Sequence, residues 1–167
     1  MKAQELMMKR LAVATPDDKL STAAALMRDE SVGIIPVVKD RQSMRLEGVL
    51  TDRDVAVRCV AGGHESGCHV RDHMTSDHLA TVPPSASVED VMQLMEREQV
   101  RRIPVVADGD RLAGIIAQAD IARRIGPVDP VRVERVLERV SQPAELPRIA
   151  PKIGAEVNHE VKFAAPA

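Results

Sequence analysis

The sequence predicts a mixed α/β (α+β) fold built from two copies of one βαββα unit, followed by a short helix and a tail. Two observations predict it. The chain repeats itself, and within each copy the hydrophobic period switches from helical to strand-like in the same order. Sliding the chain along itself by 68 residues, the separation of Leu11 from Leu79, superposes Leu11, Pro16, Leu26, Met27, Val32, Ile35, Pro36, Val37 and Val38 on identical residues. These are Leu79, Pro84, Leu94, Met95, Val100, Ile103, Pro104, Val105 and Val106. A repeat of this kind is the signature of one supersecondary unit used twice. Beyond the turn-rich stretch Lys39-Asp40-Arg41-Gln42-Ser43, where insertion costs little, Gly48 to Asp54 falls on Gly114 to Asp120.

The elements follow in order. Leu20, Ala23, Ala24 and Met27 recur at helical spacing in the first copy, as do Val88, Val91, Met92 and Met95 in the second. That spacing predicts amphipathic helices, the second capped by Ser87. The apolar runs Ile34 to Val38 and Leu46 to Leu50, with their equivalents Ile103 to Val106 and Leu112 to Ile116, predict buried strands bounded by turns. A final helix starts at Thr51 or Ala117. The organisation is therefore a first repeat over 1–62, a linker over 63–70, a second repeat over 71–126, and a C-terminal region over 127–167. In that region Asp129-Pro130 is an N-cap followed by proline at N1. Val133, Val136, Leu137 and Val140 make one apolar stripe, so a helix is expected to end before Pro143 and to pack on the pair or on a dimer mate. From Ala144 to Ala167 no period is sustained, and a partly disordered tail is expected.

Composition narrows the function classes. The 23 Lys+Arg against 25 Asp+Glu leave a net charge of −2, so no overall field favours nucleic acid or a membrane surface. Phe163 is the lone aromatic residue besides the histidines, which removes the stacking platform of single-strand binders. The start has no signal-peptide run and no stretch is long enough to span a bilayer, so a cytoplasmic address is expected. The 2 cysteines are too few for a disulfide framework and are expected as thiols. No Gly-x-Ser-x-Gly, P-loop or His-Glu-x-x-His pattern is present, so the sequence does not read as an enzyme.

The repeated motif resembles the CBS domain, named for cystathionine β-synthase. It rests on Ile35-Pro36-Val37-Val38 with Gly48-Val49-Leu50-Thr51-Asp52-Arg53-Asp54, and on Ile103-Pro104-Val105-Val106 with Gly114-Ile115-Ile116-Ala117-Gln118-Ala119-Asp120. The chain is also similar to short stand-alone bacterial members such as hypoxic response proteins. The resemblance implies two units packed by their sheets with pseudo-two-fold symmetry (a Bateman module), adenosine nucleotides in the clefts between them, and a homodimer acting as a regulatory sensor on a partner protein. It further implies no required cofactor, with AMP as the expected ligand.

Transferred to this chain, the first cleft has Thr51, Arg53 and Asp54 from copy one facing Arg101 and Arg102 from copy two, with Leu79, Ala80 and Val100 as an apolar slot. The chemistry suits the assignment. Adjacent arginines supply charge-assisted donors to a phosphate, and a carboxylate accepts from paired ribose hydroxyls. The second cleft has Asp120 and Ile34. It lacks the hydroxyl, because Ala117 replaces Thr51, and has Gly33-Ile34 in place of the arginine pair, so weaker binding is expected there. Two plainer readings stand beside these. Thr51-x-x-Asp54 is close to a capping box, and the arginines suit a solvated edge.

His64, Cys68, His69, His73 and His78 gather around the join. Their spacings match no closed zinc pattern, so linker residues without metal are expected. The competing functions are a metal- or redox-responsive protein using this cluster, and a structural dimeric adaptor without ligand.

Overall fold

The computed structural model describes residues 1–64 and 67–142. Each repeat contributes an antiparallel strand pair. In the first, helix α2 (Leu20–Asp29) buries Leu20, Ala23 and Met27 and leads to β1 (Ile34–Val38) and β2 (Leu46–Thr51). In the second, α4 (Val88–Glu98) leads to β3 (Arg102–Ala107) and β4 (Arg111–Ala117). The Ser87 hydroxyl accepts from the Asp90 N–H while the Asp90 carboxylate accepts from the Ser87 N–H, a reciprocal cap that fixes the start of α4. Both strand pairs shift register at the same repeat position, between Val37 and Val38 and between Val105 and Val106.

The first strand expected in each copy shrinks to a single parallel bridge, Ala14 with Val37 and Val82 with Val105. Pro36 and Pro104, which have no N–H to donate, still accept through their carbonyls from the Ala14 and Val82 N–H groups. The final helices also differ. In copy two, α5 (Gln118–Ile125) is a regular α-helix. In copy one, α3 (Asp52–Asp54) widens at once into a π-helical turn over Val55–Val60. There the Ala61 N–H reaches the Ala56 carbonyl and the His64 N–H reaches that of Cys59. Such turns are rare and concentrate at functional positions.

The repeats are interlocked by exchanged lead segments. The short N-terminal helix α1 (Ala3–Leu6) buries Ala3 and Leu6 in the core of the second repeat, and Met8 bridges to Ile115 of β4. Reciprocally, the 3-10 turn Val70–Asp72 buries Val70 in the core of the first repeat, and Thr75 bridges to Val49 of β2. Glycine makes the approach possible. A Cβ at Gly48 would stand 2.7 Å from the Thr75 carbonyl oxygen, and one at Gly114 would stand 2.6 Å from the Met7 sulfur. A third cluster of Val38, Leu46 and Leu112, with Leu11, Val13, Met44, Leu79 and Val106 around it, joins the two repeats.

Helix α6 (Pro130–Ser141) starts as expected, with the Asp129 carboxylate accepting from the Arg132 N–H and Pro130 in the first turn. Its Val133, Val136 and Val140 are buried in the second repeat's core, against α4 and α5. Arg132 pairs with Glu89 of α4 beside that seam. The stripe is therefore satisfied within the chain itself. The expected tail from residue 144 lies outside the described residues, among which no helix is long and apolar enough to cross a membrane.

Gly48→Ala is expected to cost about 1–3 kcal/mol, the range for overpacking a tight contact, because the atom it meets is backbone. Gly114→Ala should cost a similar amount, because the Met7 sulfur can rotate away but its Cβ, 2.9 Å from the new carbon, moves only with the backbone. Denaturant titration of both variants checks this. A negligible loss at either position would contradict the exchange geometry.

Candidate functional site: a cleft between the repeats

A cavity of about 810 Å³ opens where the two repeats face one another. Thr51, Arg53, Asp54, Leu79, Ala80, Val100, Arg101 and Arg102 all line it. Local structure explains why. Thr51 ends β2 and caps α3, so the motif side chains emerge at a strand end rather than inside the sheet. Arg101 and Arg102 enter β3 just after Gln99, whose left-handed φ of 51° turns the chain out of α4. Leu79 and Ala80 lie between the exchanged segment at Thr75 and the Val82 bridge.

The capping box read from sequence is real. The Thr51 hydroxyl accepts from the Asp54 N–H at 3.1 Å, while one Asp54 oxygen accepts from the Thr51 N–H at 2.9 Å and from its hydroxyl at 2.6 Å. The other Asp54 oxygen lies 3.3 Å from the Arg58 guanidinium. A carboxylate offers about four lone-pair sites, so capping leaves acceptor capacity facing the cavity. Arg58 also donates to the carbonyls of His73 and Met74, tying the exchanged segment to the helix that carries Asp54.

The arginines are held differently. The Arg101 guanidinium reaches the Val140 carbonyl at 3.5 Å, at the limit for such a bond, whereas that of Arg102 extends across to Gly33 of the first repeat. Both are exposed.

Asp120 repeats half of the Asp54 arrangement. Its carboxylate accepts from the Ala117 N–H at 2.9 Å and pairs with Arg123 at 2.6 Å, and Ala117 offers no hydroxyl. Asp120 does not line the cavity, but Ile34 does. The sequence reading groups Ile34 with Asp120 in a second cleft; the structure has Ile34 in the wall of the first cavity. Ile34 pairs with Thr51 across the β1 and β2 ladder, so a one-strand step puts it beside the first motif.

Several lining residues escaped the sequence reading: Thr75, His78, Glu98, Gln99, and Val140 to Gln142 at the end of α6. The repeat offered no signal for the last three, because α6 has no counterpart in the first copy.

The histidines and cysteines separate. His78 lines the cavity, and His64 and His69 are exposed. The ligating atoms of Cys68 and His73 come together with that of Cys59, all within 4.8 Å of one another. Burial, with the adjoining Cys59 and Asp72, pushes the Cys68 thiol above its ordinary range. The structure thus gathers a different set from the one grouped by sequence proximity. Cys59 enters it from the π-helical turn, and His69 is left out.

The CBS domain pattern matches residues 3–60 and again 70–127. The chain belongs to the CBS-domain family and carries a pair of these domains. The CBS domain-containing protein YhcV of Bacillus subtilis is 39% identical over 119 residues, covering 71% of this chain and 81% of that protein. Among solved structures, Hypoxic Response Protein I with two coordinated zinc ions has a TM-score of 0.66 at 31% identity, covering 74% of this chain and 98% of that one. CBSX2 in complex with AMP has a TM-score of 0.65 at 26% identity, covering 77% of this chain and 98% of its own.

Ala117→Thr is expected to supply the missing cap and stabilise the protein by about 0.5–2 kcal/mol, and Thr51→Ala to lose a similar amount. The backbone at both positions is extended, with φ near −111° at Thr51 and −100° at Ala117. Melting temperatures of the two variants check the symmetry, and a destabilised Ala117→Thr protein would refute it.

Proposed function

We propose that the chain is a non-catalytic regulatory module that binds an adenosine nucleotide, AMP above all, in the cleft between its repeats. The observation that carries this reading is that all eight residues assigned through the family resemblance line one cavity of about 810 Å³. That volume lies in the usual range for small-ligand sites, about 300–1,000 Å³. The complex of the structural neighbour CBSX2 with AMP supports the ligand class.

In this reading the adenine slides between Ile34, Leu79, Ala80 and Val100, and Asp54 accepts from the ribose hydroxyls. Thr51, Arg53, Arg101 and Arg102 meet the phosphate, for which two guanidinium groups provide charge-assisted, fork-shaped donors. Ligand held by both repeats at once favours one relative placement of the two, and that placement is what a regulated partner protein would sense.

We also propose a cytoplasmic homodimer. Because α6 spends its apolar stripe inside the chain, the surface available for self-association includes Val57 and Val60, which are 45% and 70% exposed on the turn below Asp54. Light scattering at micromolar concentration should give twice the chain mass of 18.2 kDa, and a monomer would exclude this part of the reading.

Calorimetry tests the site. Asp54→Asn keeps the size of the side chain and should weaken AMP at least tenfold, or about 1.4 kcal/mol. Replacing Arg101 and Arg102 with alanine should weaken AMP more than adenosine. Asp120→Ala should change little. Loss of binding in Asp120→Ala with retention in Asp54→Asn would move the site, and a wild-type protein indifferent to every adenine nucleotide would end the reading.

A further inference from the structure

We infer that Cys59, Cys68 and His73 form a binding site for a divalent zinc-like metal ion that fastens the exchanged segment of the second repeat to the first. The inference is independent of the nucleotide reading. It departs from the sequence-based expectation of plain linker residues, which had no means of including Cys59.

The first support is an unpaid polar cost. His73 is 2% exposed, and neither of its ring nitrogens has a hydrogen-bond partner among the described residues. Burying an unpaired polar group costs about 1–3 kcal/mol, so an imidazole held there calls for something to bind. The second support is geometry. Zinc bonds of about 2.3 Å to sulfur and 2.0–2.1 Å to nitrogen place tetrahedral ligand atoms about 3.5–3.8 Å apart. The three atoms here lie within 4.8 Å of one another, so closure on an ion needs shifts of about 1 Å. Soft thiolates with an imidazole select zinc over magnesium or calcium. The exposed His64, its ring centroid 5.2 Å from that of His73, is a further imidazole at hand for the fourth position.

The third support comes from the repeat. The bridge of Lys2 to Ser87 matches that of His69 to Lys19, and the bridge of Met8 to Ile115 matches that of Thr75 to Val49. This pairing sets Ala3 against Val70, Leu6 against His73, and Met1 against Cys68, while Gly48 against Gly114 sets Cys59 against Ile125. At the twin location stand Leu6, Ile125 and Met1, the last of them 57% exposed. Leu6 is buried there in the second repeat's core, with Ile125 packed against it. The fold needs only apolar side chains at this point, yet the first repeat has three metal-ligating ones, the first of them on a π-helical turn its twin lacks.

Binding takes one proton from each thiol and leaves the imidazole neutral, so affinity falls as the pH drops. The ion joins the turn bearing Cys59 to the segment that continues through Thr75 to His78 and Leu79 in the cavity wall.

The full-length protein, reduced and stripped with a chelator, is titrated with zinc against a chromophoric competitor, and with cobalt for the thiolate charge-transfer band. Stoichiometric uptake and a clear band are expected. Cys59→Ser and Cys68→Ser should each weaken zinc at least about tenfold, since even changes outside the ligand shell cost about 10–100-fold. His73→Leu installs the residue of the twin position, so it should fold and melt at or above the metal-free wild type while losing zinc affinity by a similar factor. His69→Ala should bind as wild type does. Substoichiometric zinc in the wild type, undiminished affinity in folded His73→Leu, or loss in His69→Ala equal to that in Cys68→Ser would overturn the proposal.

Discussion

The architecture depends on a close backbone approach made twice, at Gly48 and at Gly114. At each, the lead segment of one repeat lies on the strand pair of the other, with no room for a Cβ. The exchange is reciprocal, so neither repeat owns a complete core: Ala3 and Leu6 fill the second, and Val70 fills the first. Units of about 60 residues bury so small a share of their surface that each alone is only marginally stable. Sharing lead segments makes them one cooperative body and fixes the distance between the two strand pairs. The cleft is the space that this fixed distance leaves.

Symmetry then sets the positions, and departures from symmetry set the chemistry. Thr51 and Ala117 occupy the same backbone position, as do Asp54 and Asp120, and both aspartates close on the N–H three residues earlier. Only the first copy adds a hydroxyl, and only the second has an arginine pair, Arg101 and Arg102, at the start of its proline-containing strand. Because the cleft joins the front of one repeat to the back of the other, these two asymmetries fall on the same cavity instead of being divided between two. Helix α6 strengthens the bias. It closes the second repeat's core with Val133, Val136 and Val140, and its last turn lies in the cavity wall beside Arg101.

A second asymmetry lies at the π-helical turn Val55–Val60 that follows Asp54. Arg58 joins Asp54 to the carbonyls of His73 and Met74, so the segment between the repeats is held from the site side by a charged fork. Cys59, Cys68 and His73 gather immediately behind it. The first repeat is thus polar and locally unwound where the second is apolar and regularly helical.

The sequence by itself determined the repeat, the order of helices and strands, and the capped starts at Thr51, Ser87 and Asp129, and its resemblance to a known family pointed to eight of the residues that line the cavity. The repeat, the elements and the caps are written in local pattern, in the period of apolar residues and the chemistry of capping, and the internal repeat let each copy check the other. Only the tertiary structure decided that Ile34 shares the cavity, that α6 turns inward and lends the site its C-terminal end, and that Cys59 meets Cys68 and His73. It also reduced each first strand to a bridge, Ala14 to Val37 and Val82 to Val105, on the edge of the strand pair opposite the one the exchanged segment meets. These outcomes depend on which segment crosses to which repeat. Crossing is settled by backbone clearance at Gly48 and Gly114, a contact between residues far apart in the chain that no local pattern encodes.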